Sequence, residues 1–98
     1  MGKEVRAMAV YLVSYDAEES DDRNIAQHLE GLGAIRVLES QWLVPSRRTS
    51  RELYEQLLPL FCSEDRFLVL EVFRDAHWEK LLVSDAVFRD FLSRNARE

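Results

Sequence analysis

The run Met8-Ala9-Val10-Tyr11-Leu12-Val13-Ser14, closed by Tyr15-Asp16, constrains the fold more than any other stretch of this chain. Apolar and aromatic side chains with so few polar interruptions predict a strand over 10–16. Ala17-Glu18-Glu19-Ser20-Asp21-Asp22 follows as a turn whose acceptors suit free helical N–H groups. Ile25, Leu29 and Leu32 then recur at spacings of four and three, which predicts a helix from Asp22 to Gly31, with Gly31 and Gly33 suited to its exit.

The rest of the chain repeats the pattern with a hairpin between. Ile35-Arg36-Val37-Leu38-Glu39 has strand composition, and Gln41-Trp42-Leu43-Val44 reads as a second short strand or as an extension broken by a bulge. Pro45 marks an edge or a stop. Thr49-Ser50-Arg51-Glu52 has the spacing of a capping box, so a second helix opens there, with Leu53, Leu57, Leu60 and Phe61 as its apolar stripe and Pro59 distorting its last turn. After Ser63-Glu64-Asp65, Arg66-Phe67-Leu68-Val69-Leu70-Glu71-Val72-Phe73 is nearly continuously apolar, which predicts a strand buried on both faces.

Strand, helix, strand, strand, helix, strand is the order of an α+β, ferredoxin-like βαββαβ sandwich. Residues 1–98 are expected to form a single ferredoxin-like domain, with residues 75–95 as a C-terminal helical extension. Two helices cover one sheet face and leave the other free to dimerise. The extension is too apolar for a tail, with Trp78, Leu81, Leu82, Val83, Val87, Phe88, Phe91 and Leu92, and either covers its own core or grips a neighbouring subunit. The final residues, 93–98, are expected to fray.

A formal charge of −5 excludes broad, nonspecific coating of nucleic acid, although Arg47, Arg48 and Arg51 cluster around a loop and helix start and suit a few phosphate contacts. No apolar stretch approaches 18 residues and no signal core is present, so a cytoplasmic protein with no membrane association is expected. The one cysteine, Cys62, falls at the end of a helical pattern, where a buried thiol is expected. His28 is expected to face solvent and His77 to sit beside Trp78; neither belongs to a metal or nucleophile motif.

A carboxylate at a strand end is held out to solvent by a rigid scaffold, and this makes Asp16 the candidate metal ligand and catalytic residue. A hard cation such as Mg2+ or Mn2+ needs more oxygens than one side chain supplies, so a second chain or a substrate phosphate must complete the site. Ser14 and Ser40 are candidate supporting hydroxyls, and Arg23 and Arg36 candidate phosphate anchors, in competition with ion pairing to nearby acids. Asp21 and Asp22 are expected to cap the first helix.

The stretches Tyr15-Asp16, Asp21-Asp22-Arg23, Leu29-Glu30-Gly31-Leu32-Gly33 and Arg36-Val37-Leu38-Glu39-Ser40 together resemble the CRISPR-associated protein 2 family in order and spacing, over roughly residues 10–44. The resemblance implies a ferredoxin-like homodimer with Asp16 near its two-fold axis. It implies either metal-dependent endonuclease action on DNA or RNA, or a scaffold role beside the CRISPR integrase in antiviral defence. A noncatalytic homodimeric protein-interaction module and a toxin-like ribonuclease are the alternative readings.

Overall fold

The computed structural model describes residues 6–18 and 20–98. Alternating apolar side chains make β1 (Ala9–Asp16) a strand with two buried faces, and everything else is arranged around it. It is followed by α1 (Asp22–Gly31), β2 (Ile35–Leu38), β3 (Gln41–Ser46), α2 (Ser50–Leu57), a 3-10 turn at Leu58–Leu60, β4 (Arg66–Val72) and α3 (Asp85–Asn95). The strands pair antiparallel throughout in the order β2-β3-β1-β4, which is the ferredoxin-like sheet, followed here by a C-terminal helix.

Local chemistry sets the helix ends. Asp21 caps α1 by accepting from the Arg23 N–H. At its other end Gly33, at φ +85°, lets the Gly33 and Ala34 N–H groups reach back to the Glu30 and Leu29 carbonyls. Thr49 and Glu52 form the expected reciprocal box on α2. Pro59 cannot continue the α-helical ladder, so the chain tightens into the 3-10 turn and leaves the helix before Phe61. Both short strands expected after α1 are present, and their register shifts between Arg36 and Leu38, so the bulge is there as well. Pro45 lies inside β3 rather than ending it: β2 begins at Ile35, opposite Leu43, so the strand has a neighbour only on its β1 side at that point.

Face parity along β1 divides the core in two. Tyr11, Val13 and Tyr15, with Trp42 and Val44 of β3, pack beneath Ile25, Ala26 and Leu29 of α1 and Leu53 and Leu57 of α2. Full burial of Ile25, Leu29, Leu53 and Leu57 contributes roughly 1.5–3 kcal/mol for each side chain. Val10, Val37 and Leu43 look the other way and pack against Phe88, Phe91, Leu92 and Ala96 of the C-terminal segment. The second sheet face is therefore not left free: the same chain lays α3 across part of it.

Two further expectations are corrected. β4 is an edge strand, and α3 does not reach its far half, so Leu68 and Leu70 remain 47% and 45% exposed instead of buried on both faces. The expected C-terminal helical extension is present as one helix, preceded by an irregular segment that donates the Leu82 N–H to the Val37 carbonyl. The final residues do not fray: Arg97 forms a parallel bridge to Phe73 and clamps Glu71 with contacts of 2.7 and 2.6 Å.

Candidate functional site

The last residues of β1 point to opposite sides of the sheet. Tyr15 turns inward, where its hydroxyl donates to Asp22 Oδ1 at 2.8 Å and accepts from the Trp42 indole N–H at 3.2 Å. Arg36 Nη2 grips both oxygens of Asp22 at 2.8 and 2.9 Å, its Nε donates to the Glu39 carbonyl, and its guanidinium lies 5.0 Å from the centre of the Trp42 ring. That hydrogen bond from Arg36 holds the Asp22 carboxyl below its ordinary range, while burial, reinforced by Asp22, raises the Tyr15 phenol. Asp22 is thus a partner for Arg36 and Tyr15, and the helix-capping duty expected of both acids falls to Asp21 alone.

Asp16 turns outward to the other face. It is exposed and stands opposite Arg66 in the β1–β4 register, two residues from Ser14, which is opposite Leu68. Ser14, Asp16, Arg66 and Leu68 line an open depression of about 270 Å3 together with Tyr15 and Phe67. Among the described residues no ion pair or hydrogen bond engages the Asp16 or Arg66 side chains.

The other candidates are distributed elsewhere. Ser40 sits in the β2–β3 turn beside this end of β1, and its carbonyl accepts from the Tyr15 N–H at 3.1 Å. Arg23 is exposed in the first turn of α1, and Arg36 is committed to Asp22 on the helix-covered face. Arg47, Arg48 and Arg51 follow β3, whose Ser46 is opposite Ala9, the first residue of β1. An extended strand advances roughly 3.3 Å per residue, so the length of β1 separates this cluster from Asp16 by about 23 Å. Arg47 Nη1 donates to the Arg6 carbonyl, and the Arg48 carbonyl accepts from the Tyr11 hydroxyl at 2.6 Å. The candidate residues therefore form two groups at opposite ends of the sheet.

Arg66 is the functional candidate that sequence reasoning missed. Its signal was topological: in the ferredoxin-like order the start of β4 lies antiparallel beside the end of β1, so the first residue of the Arg66 run must meet Asp16. Two other expectations fail for helical reasons. Cys62 is exposed because the 3-10 turn ends the helical stripe before it, and its N–H donates instead to Asp65 and Ser20. His28 completes the Ile25, Leu29, Leu32 stripe at helical spacing, so it is half-buried and its Nε2 is enclosed without a hydrogen-bond partner among the described residues. His77 is exposed, and the Trp78 indole N–H donates to Asp85 rather than to it. Trp42 is a core aromatic, 3% exposed.

As a cation site Asp16 offers a hard, unpaired oxygen donor, which suits Mg2+ or Mn2+. Among the described residues no three His, Cys, Asp or Glu side chains gather around it or anywhere else, so the remaining ligands must come from a second copy, substrate or water. Among the described residues no helix is long and apolar enough to cross a membrane. No family model, curated protein or solved structure matches the chain.

Proposed function

We propose that this chain is a divergent CRISPR-associated protein 2-like homodimer of the cytoplasm that acts on nucleic-acid phosphodiesters, with Asp16 at the centre of its site. The observation that carries this reading is the position of Asp16: exposed, unpaired among the described residues, and on the same sheet face as the uncovered Leu68 and Leu70. Burying that apolar strip against a second copy would set two Asp16 carboxylates on one side of a shared interface. Mg2+ or Mn2+ held by those carboxylates would polarise a phosphate oxygen. Arg66 would neutralise the phosphate beside it, and the Ser14 hydroxyl would donate to a phosphate oxygen.

One observation favours a second reading, a noncatalytic homodimeric module that recruits a protein such as the CRISPR integrase. Arg36 is occupied, and Arg47, Arg48 and Arg51 lie at the far end of the sheet, so among the described residues no continuous basic track leads to Asp16.

The deciding experiment is Mg2+- and Mn2+-dependent cleavage of labelled single- and double-stranded DNA and RNA by the wild type and Asp16→Asn, with folding and dimeric state verified for both. Cleavage is expected to fall at least about a hundredfold in the variant, the scale of losing a principal electrostatic contact in a reaction. Cleavage confined to RNA would point to the toxin-like ribonuclease. Equal cleavage by both proteins, or none by the dimeric wild type, would sink the Asp16 mechanism and leave the recruitment module.

A further inference from the structure

The free edge of β4 separates two depressions. One holds Ser14 and Asp16; the other, about 430 Å3, opens on the helix side between Tyr54, Leu58, Phe61 and Phe67. Arg66 and Phe67 line both, so the two form one surface that wraps the start of β4. The second depression has an ordered aromatic wall. Phe61 and Phe67 stack at 4.2 Å with planes 8° apart, and Tyr54 stacks on Phe67 at 5.4 Å and 16°. Tyr54 and Leu58 remain 42% and 46% exposed. A row of nearly parallel rings with an exposed end member is a platform for another planar ring, and its volume falls within the roughly 300–1,000 Å3 usual for small-ligand sites.

We infer that this groove is a nucleobase subsite: a base next to the phosphate at Asp16 leaves its neighbours and stacks on Tyr54, the exposed end of the ring row that Phe67 and Phe61 continue, while Arg66 spans the intervening backbone charge. The inference rests on the nucleic-acid reading proposed above and adds the substrate feature that would be recognised. Base stacking on aromatic side chains is tolerant of sequence, and an Arg between stacking platform and scissile phosphate fixes register without reading the base. Asp65 also lines the groove and Asp16 adjoins it, so phosphate affinity at Arg66 is expected to rise with added divalent cation.

The test is binding of short fluorescein-labelled single-stranded DNA and RNA, of the same sequences as duplexes, and of an abasic strand. Ca2+ replaces Mg2+ to hold turnover back. Tyr54→Ala is expected to weaken binding of the base-bearing single strands about tenfold and leave the abasic strand unchanged, while Tyr54→Trp restores binding. Arg66→Gln is expected to weaken both strands, and Arg94→Gln neither. Circular dichroism and thermal melts check that each variant folds. Equal binding by wild type and Tyr54→Ala, or equal affinity of the wild type for abasic and base-bearing strands, would overturn the subsite. If Asp16-dependent cleavage persists in that case, the functional reading stands without it. If Tyr54-dependent binding is found with no cleavage, the subsite stands and the catalytic reading falls. No binding to any oligonucleotide would overturn both.

Discussion

The Tyr15 hydroxyl, the Asp22 carboxylate and the Arg36 guanidinium show how one buried polar tip recruits two surface charges. A phenol with its ring in the core must satisfy its O–H, and it does so by orienting an acid that then orients a base. Asp22 is 53% and Arg36 30% exposed, so solvent screens the pair and its worth is about 0.5–1 kcal/mol. The sign of its pH dependence follows from the lowered Asp22 carboxyl. Its contribution is complete above the unfolded carboxyl pKa of about 3.9 and is lost as pH falls through the lower folded value. Arg36→Met, which keeps bulk over Trp42, is therefore expected to be less stable than the wild type at neutral pH, with the gap narrowing in strong acid to what the lost bond to the Glu39 carbonyl and the guanidinium–Trp42 contact leave. Urea unfolding at both pH values measures this; a gap of the same size at both would assign the loss to the Glu39 bond and Trp42 contact rather than to Asp22. Sequence reading weighed Arg36 as a phosphate anchor against an ion pair. It could not choose, because Asp22 and Arg36 meet only through the tertiary position of Tyr15.

At the scale of elements, α1 and α2 were legible because their signals are local: an acceptor at the cap, a reciprocal Thr49–Glu52 box, apolar spacing, and a glycine or proline at the exit. The destination of α3 was not. Periodicity shows that Phe88, Phe91 and Leu92 share a face, but it carries no information about which sheet face, or which chain, receives them. The structure places them on Val10 and Leu43 of their own chain. Phe91→Ala is accordingly expected to cost about 3–5 kcal/mol of unfolding free energy, from lost burial plus the cavity left behind. Because the contact is within one chain, the loss should be independent of protein concentration in thermal or urea melts. A loss that shrinks on concentrating the protein would mean that α3 docks on a neighbour. The misreading of β4 has the same origin: its apolar run matches a doubly buried strand, yet Leu68 and Leu70 lie beyond the reach of α3.

For the whole molecule, this incomplete cover bears on the proposed pairing of two copies. Leu68 and Leu70, beside half-buried Leu12, are the apolar part of the sheet face that α3 leaves uncovered, next to the Asp16 depression. Replacing both leucines by glutamate is expected to turn a wild-type dimer into a monomer in sedimentation velocity without lowering its melting temperature as a monomer, since neither side chain is buried within the chain. A wild type that sediments as a monomer at every accessible concentration would dispose of the pairing and of the symmetric Asp16 site with it. The fold was readable because its element order is a one-dimensional property; the site was only half readable, because Asp16 is a local feature and Arg66 joins it through strand register.

Hydrophobic attraction is non-directional, and a bare apolar strip would let a second sheet slide along it. α3 removes that freedom. A helix with its side chains stands about 10 Å proud of the sheet, so it forms a step along one border of the strip. Any partner that settles on Leu68 and Leu70 comes up against a wall on one side and has open water on the other. The helix that closes half of the face thereby acts as a stop, giving a featureless surface a single seat.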